Sequence, residues 1–218
     1  MSKRIVIISG GDLDEEFTLS ILNAAETNYV IGVDKGMEFL YKHNIMPSYI
    51  VGDFDSVDAK VADYYRKETN VPVREYNPVK DASDTEIAVR LATTLGCEQL
   101  FILGATGGRI DHLWANVQTL YIPFRAGIDA RIMDRQNCIR LIEDKIVLKK
   151  NEAYGPYFSL FPLAQDIFGL NIIGAKYPLH NHTMTPYDSL CVSNQFEEDE
   201  VSISFLSGIV ILMETRDK

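Results

Sequence analysis

Apolar residues in the first half of the chain come in short, β-branched bursts: Ile5 to Ile8, Tyr29 to Val33, Tyr49 to Val51, Val71 to Glu75 and Leu100 to Leu103. Each burst is apolar with little alternation, the pattern of strands covered on both faces. Between the bursts the period lengthens to that of a helix. The clearest helix starts at Ser83, where Ser83 and Glu86 form a capping box, Ile87, Leu91 and Leu95 form one stripe, and Gly96 stops the run. A second is expected from about Asp111 to Tyr121, with Leu113, Val117 and Leu120 facing inward and Pro123 closing it. Strands alternating with helices predict βαβ units on a mostly parallel, Rossmann-like sheet.

After about Ala126 the pattern changes to closely spaced strand-like runs: Ala130 to Met133, Cys138 to Ile142, Ile146 to Lys149, Tyr157 to Phe161, Val201 to Phe205 and Ile209 to Met213. Turn signals at Glu143-Asp144, Gly155-Pro156 and Ser207-Gly208 separate them, and helical periodicity is scarce. An all-β sandwich or barrel is the natural reading, with an α/β domain over 1–126 and a β-sandwich domain over 127–218.

Composition narrows the function. A net charge of −10 argues against a surface that coats nucleic acid, which needs clustered Lys and Arg. The three cysteines, Cys97, Cys138 and Cys191, are widely spaced and never form C-x-x-C, so they suggest neither a disulfide framework nor a zinc site. No apolar run is long enough for a signal-peptide core or a membrane span, which points to a cytoplasmic protein without a membrane partner.

In open parallel sheets ligands sit outside the carboxyl ends of the strands, and there this sequence is acidic. Gly52-Asp53-Phe54-Asp55-Ser56 follows the third strand and Lys80-Asp81-Ala82-Ser83-Asp84 the fourth. Asp53 and Asp55 are two apart, so an extended segment points both carboxylates to one side, where they suit a hard cation; a turn with solvated or capping aspartates uses the same residues. Asp84 sits where the helix dipole favours a carboxylate whatever the function, whereas Asp81, outside the helix, has less structural reason to be acidic. Gathered at one sheet edge, Asp53, Asp55, Asp81, Asp84 and Asp111 would repel one another unless Mg²⁺ neutralised them.

The fifth strand leads into Gly104-Ala105-Thr106-Gly107-Gly108-Arg109-Ile110-Asp111-His112. Glycines that let the main chain approach an anion, free helix-start amides and an arginine clamp suit a phosphate; Gly107 and Gly108 serve a tight turn equally well. His112 is a phosphate donor or a cap. Asp34 ends the second strand, where doubly wound folds place an acid on a nucleotide ribose, and Ser9-Gly10-Gly11 follows the first. No G-x-x-x-x-G-K-[ST] loop occurs, so phosphoryl transfer here must rely on aspartates and metal. His180 and His182 lack a nearby third ligand, the Asn181 sequon lacks a secretory signal, and Glu197 to Glu200 read as a solvated turn.

Six segments in order resemble the thiamine pyrophosphokinase family: GDFDS at Gly52, KDASDTEIA at Lys80, GATGGRIDHLWANV at Gly104, YFSLFPL at Tyr157, GAKYPL at Gly174 and VSNQF at Val192. The resemblance implies an N-terminal nucleotide-binding domain, a C-terminal thiamine-binding β-sandwich, and a homodimer with active sites between subunits. It implies that Asp53, Asp55, Asp81, Asp84 and Asp111 form the Mg²⁺ and ATP-phosphate group, with Arg109 near the phosphates, and that Ser193 and Asn194 contact thiamine. Tyr177 falls near where some relatives carry a tryptophan beside the thiamine ring. The second motif reads Asp-Ala-Ser-Asp where many relatives have Asp-x-Thr-Asp, which keeps both carboxylates and the hydroxyl. The expected reaction moves the diphosphoryl group of ATP onto the thiamine hydroxyl and releases AMP. The acidic residues alone also fit a Mg²⁺-dependent phosphohydrolase, a pyrophosphokinase for another alcohol, or a non-catalytic nucleotide or thiamine sensor.

Overall fold

In the computed structural model, which describes residues 3–74 and 82–218, the N-terminal bursts become strands that pair with one another in parallel. These are β1 (Arg4–Ile8), β2 (Thr27–Val33), β3 (Tyr49–Val51), β4 (Val73–Arg74), β5 (Gln99–Leu103) and β6 (Asp129–Met133). Their order is β6-β5-β1-β2-β3-β4. The chain therefore winds outward from β1 through β2, β3 and β4, then returns to place β5 on the other side of β1, so the winding reverses between β1 and β5.

Among the described residues the helices that connect these strands are α1 (Glu15–Leu22), α2 (Gly36–Lys42), α3 (Ala59–Lys67), α4 (Asp84–Thr94), α5 (Ile110–Thr119) and α6 (Tyr121–Arg125). Ile5, Ile7, Ile8, Ile31, Ile50, Leu100 and Ile102 are wholly buried. Consecutive strand residues point to opposite faces, so burial of both Ile7 and Ile8 means that both faces of the sheet are covered. Each such side chain contributes roughly 1.5–3 kcal/mol relative to exposure.

Helices α1, α3 and α4 start with a side-chain cap. Asp14 accepts from the Phe17 amide, Asp58 from the Lys60 amide and Ser83 from the Glu86 amide. Glu86 supplies its amide to the Ser83 cap, while its carboxylate takes a two-pronged bond from Arg90, four residues on. Pro123, expected to close a helix, instead lies inside α6. It is the third residue of that helix, within the first turn, where its missing N–H leaves no intrahelical bond unmade.

The second unit spans Gln136–Lys218, after a first unit of Met1–Arg135. The break falls later than the expected residue 126 because β6 pairs in parallel with β5 and so extends the first sheet. The second unit contains β7 (Asn137–Ile142), β8 (Ile146–Lys149), β9 (Tyr157–Pro162), β10 (Ile167–Ile173), β11 (Leu179–Met184), β12 (Asn194–Gln195), β13 (Glu200–Ser204) and β14 (Val210–Thr215). They form two antiparallel layers, β12-β9-β14-β7 and β11-β10-β13-β8. Ile142, Phe158, Leu160, Val210 and Leu212 of one layer share a core with Leu148, Leu170, Ile172, Met184, Val201 and Ile203 of the other, as in a sandwich.

Strands β10, β11 and β12 were not foreseen. β10 is interrupted by Gly169 at φ 68°, and β11 reads Leu-His-Asn-His-Thr-Met with Asn181 at φ 49°; both sequences imitate turns. No helix among the described residues is long and apolar enough to cross a membrane.

Candidate active site

The loops leaving β1 and β5 pack directly on each other. Gly11 donates its amide to the Gly104 carbonyl at 2.9 Å. A Cβ on Gly104, at φ 68°, would lie 2.5 Å from the Ser9 carbonyl oxygen, and one on Gly107 would lie 2.5 Å from Asp12 Cβ. Loop-on-loop packing therefore accounts for Gly104 and Gly107, while Gly108 is fixed by its φ of 85° and would have no neighbour within 4 Å. Asn116, buried on α5, donates to the Ala105 carbonyl at 3.0 Å and ties the glycine loop to the helix behind it. Ser9 Oγ lies 3.1 Å from Thr85 Oγ1, which brings the start of α4, with half-buried Asp84 as its first residue, to the exit of β1.

The exits of β2 and β3 adjoin in the same way. Asp34 adopts φ 47°, a left-handed conformation that Asp tolerates better than most residues, and a Cβ added to Gly52 would lie 2.6 Å from its Oδ1. The Asp34 carboxylate thus rests against the residue preceding Asp53.

The Asp53-Phe54-Asp55 segment is not extended, so the extended-strand argument for its two carboxylates does not apply and the turn, the other reading of these residues, is the one found. Phe54 takes φ 66° because its ring is driven into a core of Met37, Ile50, Val57, Val61, Ala62 and Tyr65, with the Arg66 guanidinium 4.3 Å above it. The Asp55 amide then donates to Asp53 Oδ1 at 3.1 Å, making an Asx turn that leaves Asp53 half-buried and Asp55 exposed.

Arg109 and Asp111 face each other across the start of α5. Arg109 Nε donates to Asp111 Oδ1 at 3.0 Å and a terminal guanidinium nitrogen donates to Oδ2, while the His112 amide also donates to Oδ1. The guanidinium, aided by that amide, holds the Asp111 carboxyl down to about 2, and Asp111 in turn raises Arg109. Both side chains are mostly exposed. Asp81 lies outside the described residues. Among the described residues no three His, Cys, Asp or Glu side chains are grouped closely enough to hold a metal ion.

In the second unit the VSN segment follows a sharp turn. Ser193 has φ 57° and donates its amide to Ser159 Oγ at 3.0 Å. Asn194, only 3% exposed, uses its side chain on the main chain: Oδ1 accepts from the Tyr177 and Gln195 amides, and Nδ2 donates to the Tyr177 carbonyl at 2.8 Å. The Tyr177 side chain is 57% exposed.

Two family models match this chain. "Thiamin pyrophosphokinase, catalytic domain" covers residues 22–132, and "Thiamin pyrophosphokinase, vitamin B1 binding domain" covers 143–210. Thiamine pyrophosphokinase of Bacillus subtilis is 33% identical over 99% of this chain and 100% of its own length. The chain belongs to the thiamine pyrophosphokinase family. The crystal structure of the Bacillus subtilis enzyme superposes with a TM-score of 0.88 at 32% identity, covering 99% of this chain and 100% of that one. Thiamin pyrophosphokinase from Geobacillus thermodenitrificans gives 0.85 at 29% identity, over 99% and 98%. Membership carries the family's activity, thiamine pyrophosphokinase, a diphosphotransferase.

Two residues of this unit-one region were absent from the sequence-based set. Asp12, against Gly107, stands one residue beyond the Ser9-Gly10-Gly11 exit of β1, and Asn116 had a legible signal, a polar residue beside Val117 on the inward face of α5.

Proposed function

We propose that the first unit binds ATP, the second binds thiamine, and the thiamine hydroxyl attacks the β-phosphorus in line, with AMP leaving. The strongest support is the packing of the Ser9–Asp12 and Gly104–Arg109 loops where the sheet's winding reverses, the position at which open parallel sheets take ligands. In this reading Gly107, Gly108 and His112 line the phosphates and Asp34 faces the ribose. Arg109 clamps phosphate oxygens, and to do so it exchanges Asp111 for the nucleotide, which releases the Asp111 carboxylate.

The donors offered by Asp53, Asp55, Asp84 and Asp111, and by Asp81 beyond the described residues, are hard carboxylate oxygens, the type that suits Mg²⁺. Nucleotide-bound Mg²⁺ is generally held by one or two carboxylates together with phosphates, so a cage built wholly from protein is not required. When bound, the ion neutralises charge on the transferring group. Asp53 is the acid best oriented for this, because the Asx turn fixes its carboxylate. Chain residues then have two tasks, holding both substrates in line and stabilising negative charge as the bond to AMP breaks. Ser193 and the exposed Tyr177 are assigned to the thiamine side, together with Asn194, which braces the Tyr177 main chain. A homodimer belongs to the same proposal. It is supported by the exposed apolar residues Ile110, Trp114 and Tyr121 on α5 and α6, and sedimentation velocity tests it.

The deciding experiment measures AMP and ADP formation from ATP and Mg²⁺ with and without thiamine. AMP matched by thiamine diphosphate is expected. ADP, or phosphate release independent of thiamine, would favour the phosphohydrolase reading instead.

A further inference from the structure

The segment 174–177 runs antiparallel beside 194–198. Lys176 donates its amide to the Gln195 carbonyl at 3.0 Å, Ala175 bridges Phe196, and the Glu197 and Glu198 amides both reach the Gly174 carbonyl. One residue further along, at Tyr177, this main-chain ladder gives way to the side chain of Asn194. The amide group supplies both halves of a strand partner: its oxygen takes the Tyr177 N–H at 3.1 Å and its nitrogen donates to the Tyr177 carbonyl at 2.8 Å. Pro178 follows, which restricts Tyr177 to extended backbone and has no N–H to continue the ladder. On the other side, Ser193 at φ 57° and its amide bond to buried Ser159 fix where the Asn194 side chain starts. Lys176 Nζ, bonded to Gln195 Oε1 at 3.3 Å, stands 5.6 Å from the Tyr177 ring centroid.

We propose that Asn194 is a positioning residue: its buried amide serves as the missing strand partner of Tyr177 and fixes the direction in which the exposed Tyr177 ring is offered to thiamine. This rests on the assignment of thiamine to the second unit. Asn194, at 3% exposure and with three bonds to the main chain, acts on the substrate through that ring and not by touching it. The chemistry suits a ligand carrying two aromatic rings, one of them cationic, for which a tyrosine face is a recognition surface.

A double-mutant cycle in the holoenzyme with Mg²⁺ tests this, after wild-type AMP formation with thiamine has been verified. Asn194→Ala should raise KM for thiamine about ten-fold, the size of one or two lost hydrogen bonds, and leave kcat and KM for ATP within about two-fold. In a Tyr177→Ala background the same change should alter KM for thiamine by less than about two-fold, because the ring being aimed is gone. An equal rise in both backgrounds means direct contact and overturns the proposal.

A second measurement does not depend on activity. Trp114 is the only tryptophan, so Trp114→Phe with Tyr177→Trp makes residue 177 the sole indole. Asn194→Ala should lower its fluorescence anisotropy; an unmoved anisotropy overturns the proposal even if the kinetic reading of the family fails. Should Asn194→Ala not fold, Asn194→Ser, which brings no charge into the buried site and is too short to pair with both Tyr177 main-chain groups, is read in the same cycle.

Discussion

In the first unit the charged groups of the candidate site are held by the main chain and by each other, whereas in the second a buried neutral side chain holds the main chain that carries the exposed ring. Asp53 is set by the Asp55 amide, and Arg109 and Asp111 neutralise one another in the open. Asn194 is buried and spends its amide on the Tyr177 backbone, so that what reaches the surface is a ring. The contrast teaches where function and stability separate. Exposed, self-neutralised charges can be removed with little structural cost, while a buried amide cannot be removed without leaving main-chain groups unpaired.

The sharpest way to break this contrast is Asp53→Ala, for which kcat for AMP formation should fall about 10³-fold, the upper end for losing a group aimed at transition-state charge. Loss of its Asx bond should cost only about 1 kcal/mol, leaving a cooperative thermal melt. Activity near wild type would remove Asp53 from the site. Arg109→Gln comes next, with a fall of about 10²-fold in kcat. Its melting temperature should fall only slightly, since the guanidinium and the Asp111 carboxylate it pairs with are exposed.

Asn116→Ala should show the opposite balance. It leaves the buried Ala105 carbonyl without its donor and should destabilise by about 1–3 kcal/mol in urea titration. Activity should decline only as far as the glycine loop loosens, and a fully stable variant would show that the loop does not depend on that bond.

The smallest effect is on titration. Folding lowers the Asp111 carboxyl from its ordinary 3.8 to about 2, with Arg109 the main cause. Because the folded value is the lower one, the stability this carboxylate contributes is present above 3.8 and is lost as pH falls toward 2. In Arg109→Gln the carboxyl should move back up toward 3.8, which NMR titration in the free protein would read. A value still near 2 would assign the shift to the His112 amide alone.

Much of the fold was legible because the physical causes are local. Ile5 to Ile8 and Leu100 to Leu103 became strands since a short, fully apolar run can be satisfied only by cover on both faces. Ser83 caps α4 because a hydroxyl before an apolar stripe meets a free amide wherever the helix ends up. Of the two readings open for Asp53 and Asp55, the extended one gave way to the turn at Phe54. Spacing says where carboxylates point only if the backbone is extended, and the burial of one ring bent it. The role of Asn194 was hidden for a related reason. Its partner Tyr177 is distant in sequence, and no local pattern shows that an amide will complete another segment's ladder.

By itself the sequence determined the alternation of strands and helices in the first unit, the acidic and glycine-rich strand exits, and, through six ordered motifs, the family. Periodicity, capping and motif order are properties of neighbours along the chain, so they can be read without coordinates. Tertiary structure alone decided that the winding reverses between β1 and β5, that β6 joins the first unit, that Arg109 holds Asp111, and that Asn194 faces backbone. Each of these depends on which residues meet across space, and that is set by how the whole apolar surface is buried, not by any one segment's preference.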